Sequence, residues 1–380
     1  MTPETLKRLT ALRRELHQSP EVSGQEQKTA ERIAELIQNA GADLVLTGLG
    51  GHGVVAVFDS GIEGPGVGLR CELDALPIQE ESDLPYTSRI PGKGHLCGHD
   101  GHMAMVVGVA EALGIARPQT GRVVLIFQPS EETGKGAAAV RSDPRFSDVA
   151  PDHVFSLHNL PGLDLGIVEI CDGPANCASR GMRIVLTGKT SHAAAPQDGV
   201  SPAAALSKLM PALTKLGQGG PLDQNYALTT VTHASLGEQT FGVAPGRAEL
   251  WVTLRTVTDT RMAELIAEAE ALVAKTSQAE GVSSEVTYDD VFEACANHID
   301  AVNILNQACV ERNVPVRLVN EPQRFSEDFG QFGKNAKTAM FWLGSGSDHP
   351  QLHNPDYDFP DALIPIGTGV FLAVIRRILG

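Results

Sequence analysis

Val123-Val124-Leu125-Ile126-Phe127-Gln128-Pro129-Ser130-Glu131-Glu132 joins an unbroken apolar run to a proline and a pair of carboxylates. A short run that is apolar at every position predicts a strand buried on both faces, as in sheets covered by helices on either side. The same texture recurs in Gly53-Val54-Val55-Ala56-Val57-Phe58, Val67-Gly68-Leu69-Arg70-Cys71 and Val154-Phe155-Ser156-Leu157. A helix of small residues from Met103 to Leu113 is predicted between two of these strands. Strands alternating with helices predict an α/β fold. Polar residues fall where the strands end: Glu131-Glu132 after Val123–Phe127, and His158 after Val154–Leu157. Sites in open α/β sheets gather at the carboxyl ends of strands.

The segment Cys97-Gly98-His99-Asp100-Gly101-His102 places four candidate metal ligands within six residues. Glu131-Glu132, His158 and His353, the last in Gln351-Leu352-His353-Asn354-Pro355, follow downstream. Thiolate, imidazole and carboxylate bind zinc-like transition metals. A second carboxylate beside a ligand suits a general base. On extended backbone, Glu131 and Glu132 would point to opposite sides, one toward metal and one toward water. Gly134 and Gly136 are expected where backbone approaches a ligand. Asp100 reads either as an acceptor orienting a ligand imidazole or as the N-cap of the following helix. His95 and His102 rank below His99. Each feature also has an ordinary reading: an acidic turn for Glu131-Glu132, a satisfied structural histidine for His158, a loop histidine for His353. Their joint occurrence in the order Cys-x-His, Glu-Glu, His, His favours a hydrolase with two divalent metal ions (zinc, manganese, cobalt or nickel).

The chain has 380 residues, which predicts two domains. Thr2-Pro3 reads as an N-cap and first helical residue, and Ser23-Gly24-Gln25-Glu26 as a capping box for a helix ending near Gly41. From about Arg183 a second pattern begins. Ile184–Thr187 is predicted as a strand, Ser201 to about Leu216 as a helix, Thr229–Thr232 and Glu249–Leu254 as strands, Arg261–Ala279 as a helix and Ser284–Tyr288 as a strand. This βαββαβ order is that of a ferredoxin-like α+β unit. The expected division is a discontinuous catalytic, metal-binding domain over residues 1–180 and 291–380, interrupted by an inserted domain over 181–290. The chain closes with a helix, Ile364–Leu379.

A net charge of -16 with no Lys/Arg block argues against nucleic acid or an anionic membrane as partner. The N-terminus lacks the apolar core of a signal peptide, and no stretch is expected to reach the roughly 20 apolar residues of a membrane span. A cytoplasmic protein is therefore expected. The six cysteines are predicted to be free thiols, mostly buried, with Cys97 as the functional exception.

Seven segments carry a resemblance in one order along nearly the whole chain: Arg70–Ile78, His95–His102, Gln128–Glu132, Leu157–Asn159, Gly188–Pro196, Ser326–Phe329 and Leu352–Pro355. With them the sequence resembles the metal-dependent aminoacylase/carboxypeptidase superfamily. The branch is that of hippurate hydrolase, N-acyl-amino-acid amidohydrolases and plant auxin-conjugate hydrolases. The resemblance implies a zinc-exopeptidase-like catalytic domain with an inserted ferredoxin-like lid that mediates dimerisation. It implies metal ligands at Cys97, His99, Glu132, His158 and His353, and a general base at Glu131. It also implies a lid histidine, His192, that reaches a neighbouring subunit's site and stabilises the oxyanion. The implied reaction is hydrolysis of the amide bond of a small N-acyl amino acid or related conjugate by metal-activated water. The alternative is a dipeptidase or carboxypeptidase with the same centre. The implied partners are a small-molecule amide and a second copy of the chain, as a homodimer or dimer-based oligomer. A binding module that merely kept the fold is disfavoured, because all five ligand positions and the base are present. Three positions depart from the family pattern: Glu72 and Arg180 each stand where it commonly has Asp, and Gly242-Val243-Ala244-Pro245 replaces Asn-Val-Ile-Pro. Arg255 is placed either to meet a substrate carboxylate or to form a structural salt bridge.

Overall fold

A computed structural model describes all 380 residues and divides into two compact units. The first comprises Met1–Ala175, Cys295–Asn320 and Asp328–Gly380; the second comprises Asn176–Ala294 and Glu321–Glu327.

The first unit is built on an eight-stranded mixed sheet. Its spatial order is Leu44–Leu49, Gly53–Asp59, Arg122–Gln128, Gly66–Glu72, His153–Pro161, Lys337–Gly346, Val168–Cys171, Val316–Val319. All of Val123–Phe127 is fully buried, so both faces of that strand are covered. Gly66–Glu72 runs parallel to both Arg122–Gln128 and His153–Pro161, and Lys337–Gly346 runs parallel to the latter. Four central strands therefore deliver their carboxyl ends to one edge of the sheet; the segments bearing Cys97 and His99, Glu131 and Glu132, and His353 follow three of them, and His158 lies on the fourth.

Local structure departs from the sequence reading in four places. The helix after Cys97 spans His99–Ile115, so it starts four residues before the expected Met103 and takes in His99, and the N-cap is Gly98 at φ 90, not Asp100. Only glycine tolerates that φ without strain, and a Cβ there would lie 2.3 Å from Asn159 Oδ1. His158 lies within the strand His153–Pro161 rather than after its end. The helix Gln27–Asn39 has no side-chain cap; Glu26 instead accepts from Gly24 N–H and, far along the chain, from Ser130 N–H. Finally, Asp361–Leu379 is long and apolar enough to span a membrane, contrary to expectation. Its Phe371, Val374 and Ile375 are buried in the core of the first unit, so its apolar face is occupied by packing. The cap expected at Thr2 is present, its hydroxyl accepting from Thr5 N–H.

The second unit holds an antiparallel sheet in the order Ala227–Leu236, Arg247–Thr256, Ala178–Thr187, Ser283–Phe292, with helices Ala203–Thr214 and Asp259–Ala279. In the unit's own chain order this is 2-3-1-4, the βαββαβ arrangement. Met182, Ile184 and Leu186 face the core, while Arg183 and Val185 between them are only partly buried, as expected of a sheet covered on one face. All six cysteines of the chain are buried free thiols.

Beneath the His99 helix lies a buried ionic network. His17 Nδ1 is 2.9 Å from Asp100 and its Nε2 is 3.2 Å from Glu80. Arg13 pairs with Asp358 at 2.7 Å and with Asp361 at 2.8 Å. Burial alone would depress the His17 pKa, but the two carboxylates outweigh it and raise the value to about 9. The folded state thus holds a proton that the unfolded chain releases near 6.5. His17 stabilisation is complete below pH 6.5 and is lost as pH rises toward 9. A shift from 6.5 to about 9 corresponds to at most roughly 3.5 kcal/mol. We expect urea unfolding at pH 6 and pH 9.5 to show a drop in wild-type stability that is smaller in His17→Gln; an equal drop in both would exclude His17 as the source.

Candidate metal centre

The parallel strands bring the predicted ligands together in the first unit. Cys97, His99 and His158 form one set of donors whose ligating atoms all lie within 4.8 Å of one another. Cys97, Glu132 and His353 form a second set at the same spacing, so the Cys97 thiol is common to both. Cys97 Sγ lies 3.4 Å from His158 Nε2, and His353 Nε2 lies 3.7 Å from Glu132 Oε2. Both carboxylates of the Glu131-Glu132 pair approach His99 Nε2, at 4.0 and 3.9 Å.

The imidazoles are oriented by backbone. His99 Nδ1–H donates to the Asp74 carbonyl at 2.8 Å and His158 Nδ1–H to the Asn159 carbonyl at 2.8 Å. Each ring therefore turns its Nε2 lone pair toward the shared space. His99 Nε2 is buried with no hydrogen-bond partner, a costly state that a bound cation relieves. Burial lowers the His99 pKa to about 4, drives that of His158 well below its usual value and lowers that of His353. The rings are neutral near pH 7, the form that binds metal. Soft thiolate, neutral imidazole and carboxylate at this spacing fit a pair of divalent transition-metal ions. The His99 and His158 end is closed, whereas the His353 side chain is half-exposed, so the cluster opens to solvent on that side.

The Glu-Glu pair is not on extended backbone. Ser130 has φ 51 and the chain turns tightly, Gly134 N–H donating to Glu131 O at 2.7 Å. The two carboxylates face a common region rather than opposite sides. Asp74 holds this turn, accepting from Glu131 and Glu132 N–H at 3.2 and 3.0 Å and from Ser23 Oγ at 2.7 Å. Gly136 serves the chain rather than a ligand, since a Cβ there would overlap the Pro129 carbonyl. Asp100 accepts from His17 and does not orient a ligand imidazole. His95 is buried but belongs to neither donor set. Asp74 lies within the Arg70–Ile78 motif and Asn159 within Leu157–Asn159, so a signal for both existed in the sequence; Tyr357 lies outside every such segment.

Around the cluster runs a charged shell. Buried Arg70 pairs with Glu72, with Gln128 at 2.8 Å and with Asp328 at 2.8 Å. Burial pushes Glu72 up, but Arg70 and His102 outweigh it and hold this carboxylate well below its usual pKa. The Asp-to-Glu departure at position 72 thus forms a bridge between Arg70 and His102.

In the second unit, His192 pairs with Val243 across a two-residue ladder, and Ala193 N–H donates to Gly242 O, so the departure at Gly242–Pro245 lies directly opposite His192. Ala194 N–H donates to His192 Nδ1 at 3.0 Å, which leaves the ring proton of the neutral side chain on Nε2. Arg180 donates to the Phe292 carbonyl. Arg255 donates to the Arg324 carbonyl and Ser326 Oγ, both at 3.0 Å, and has no carboxylate within salt-bridge distance.

Comparison with known proteins agrees with this chemistry. The chain is 30% identical over 371 residues to hippurate hydrolase of Campylobacter jejuni, covering 97% of this chain and 96% of the relative. It is 27% identical over 371 residues to N-acetylcysteine deacetylase of Bacillus subtilis, covering 97% and 96%. The crystal structure of Bacillus subtilis YXEP protein, a dinuclear metal binding peptidase from the M20 family, superposes with a TM-score of 0.83 at 25% identity, covering 100% of this chain and 99% of that one. The sequence pattern of peptidase family M20/M25/M40 matches residues 68–377, and the chain belongs to that family.

Proposed function

We propose that the chain hydrolyses the amide bond of a small N-acyl amino acid or related amide conjugate, using two divalent cations. The observation that carries this reading is the Cys97 thiol shared by two donor sets with a further carboxylate, Glu131, alongside. N-acetylcysteine and hippurate, named in the two relatives, are both N-acyl amino acids. Cys97, His99 and His158 would hold one ion, and Cys97, Glu132 and His353 the other. When bound, such a pair polarises a carbonyl and lowers the pKa of water from 15.7 to roughly 7. Thiolate and imidazole suit zinc; manganese, cobalt and nickel are the alternatives.

Glu131 takes a proton from the attacking water on a carboxylate oxygen and returns it to the leaving nitrogen. Its separation from Glu132 in role is supported by the donor sets, because Glu132 shares a set with Cys97 and His353 whereas Glu131 shares none with Cys97. His192 of a neighbouring subunit would donate from Nε2 to the developing oxyanion. Arg255, with no carboxylate of its own, is available for a substrate carboxylate. A cytoplasmic setting agrees with six free thiols. We further propose a homodimer formed through the second unit. Its edge strand, Ala227–Leu236, is exposed along the outer half and carries no proline, lysine or carboxylate to discourage pairing.

Three tests follow from these roles. Glu131→Gln is expected to keep both ions and lose roughly 10²–10⁴ in turnover, whereas Glu132→Ala loses metal. Metal analysis with rates on N-acetyl and N-benzoyl amino acids, and on dipeptides for comparison, checks this; equal metal loss in both variants would overturn the division of roles. His192→Ala is expected to lower kcat by about 10²–10³ with metal content unchanged; an unaltered kcat removes His192 from the mechanism. Light scattering should give a dimer mass for the wild type and a monomer mass for Thr230→Lys/Thr232→Lys, and a dimer that survives the double substitution excludes edge pairing.

A further inference from the structure

His102 lies one helical turn beyond His99, with its ring edge-on to His158 at 4.8 Å between centroids, yet the proposed chemistry does not use it. Both its nitrogens are engaged elsewhere: Nδ1 lies 2.7 Å from Glu72 Oε2 and Nε2 lies 2.6 Å from Asn159 Oδ1. The Asn159 amide then donates from Nδ2 to the Tyr357 hydroxyl at 2.5 Å. Glu72, His102, Asn159 and Tyr357 are all buried, so these bonds form in a low-dielectric interior where an unmade bond is costly.

Asn159 touches three parts of the centre. Its carbonyl receives the His158 ring proton. Its side-chain oxygen occupies the space that a Cβ on Gly98 would need, so it packs against the turn joining Cys97 to His99. Its amide reaches Tyr357, four residues beyond His353. His353 itself needs such support, because its φ of 67 is a left-handed conformation that a non-glycine residue keeps only when its surroundings impose it. Its N–H is tied to Leu96 O at 2.8 Å, next to Cys97. The Tyr357–Asn159 bond is a second tie, joining the same segment to the strand that carries His158.

We infer that Asn159 and Tyr357 are positioning residues of the metal centre. Their hydrogen bond holds His353, at one end of the cluster, in register with His158 at the other. The inference rests on the dinuclear reading of the centre. Tyr357→Phe removes one oxygen from a buried ring and leaves its packing; Asn159→Ala removes the hub.

The test measures metal dissociation constants by competition with a zinc chelator for wild type, each single variant and the double variant, with metal stoichiometry and the Tm of each metal-free protein alongside. We expect each single substitution to weaken zinc binding roughly 10- to 100-fold. The double variant should be no weaker than Asn159→Ala alone, because the Asn159–Tyr357 bond is already lost in that variant. Two ions should still bind at saturating zinc. Phe341→Leu, in the core against Phe371, serves as a control that should lower Tm without changing the dissociation constant. Unchanged affinity in Tyr357→Phe, additive losses in the double variant, or an equal loss of affinity in Phe341→Leu would each overturn the inference. Should Asn159→Ala not fold, the Tyr357→Phe measurement decides alone. A wild-type protein that binds fewer than two ions would instead overturn the dinuclear reading, a separable outcome.

Discussion

Two imidazole protons are held by two backbone carbonyls, and the arrangement of the donor cluster follows from that. Because Asp74 and Asn159 accept from the Nδ1 atoms of His99 and His158, both rings direct Nε2 into one space. Backbone acceptors cannot rotate away as side chains can, so ring orientation is inherited from the sheet. Asp74 follows the end of Gly66–Glu72 and Asn159 lies on His153–Pro161; these strands pair in parallel, with Arg70 opposite Ser156. A slip of one residue in that register would turn the residues from His158 onward to the opposite face of the sheet.

Such a cluster is expensive to assemble without charge compensation. His99 and His158 are buried and held neutral by their surroundings, and His99 Nε2 has no protein partner. The carboxylates nearby are steadied by donors from distant segments, with Arg70 joining Glu72, Gln128 and Asp328 in the closed interior. Removing one member of a buried ionic set typically costs about 3–5 kcal/mol because its partner is left uncompensated. Asp328 registers the balance: burial raises its pKa to about 6 in spite of Arg70. The positive φ values of Ser130 and His353, on the two segments that complete the second donor set, are further local costs borne by the surrounding structure.

The apolar runs, the helix after Cys97 and the order of the second unit were legible because each is a local pattern: a run buried on both faces, a stretch of small residues, an alternation with period two. The donor residues were legible as a set because few ordinary surfaces combine Cys-x-His, Glu-Glu and two further histidines. Misread features share a different cause. Spacing suggests Glu26 as half of a local capping box, but it bonds to Ser130, more than one hundred positions away. Position suggests Asp100 as an orienting acceptor or a cap, yet it answers to His17 on the first helix. The preceding strand suggests extended backbone for Glu131 and Glu132, whereas Asp74 and a left-handed Ser130 fold them into a turn. Polar side chains have several acceptable partners, and sequence spacing ranks only the nearby ones.

Residue chemistry and order, written in the chain itself, determined which side chains were available to bind metal and move protons, and which segments would become strands. Tertiary structure alone decided that the Cys97 thiol lies in two donor sets at once, that both glutamates look into one space, and that Asn159 and Tyr357 join the two ends of the cluster. The reason is physical. Strand and helix formation is governed by neighbours along the chain, whereas hydrogen-bond partnership inside a core is governed by proximity after packing, which sheet register sets and local sequence does not encode.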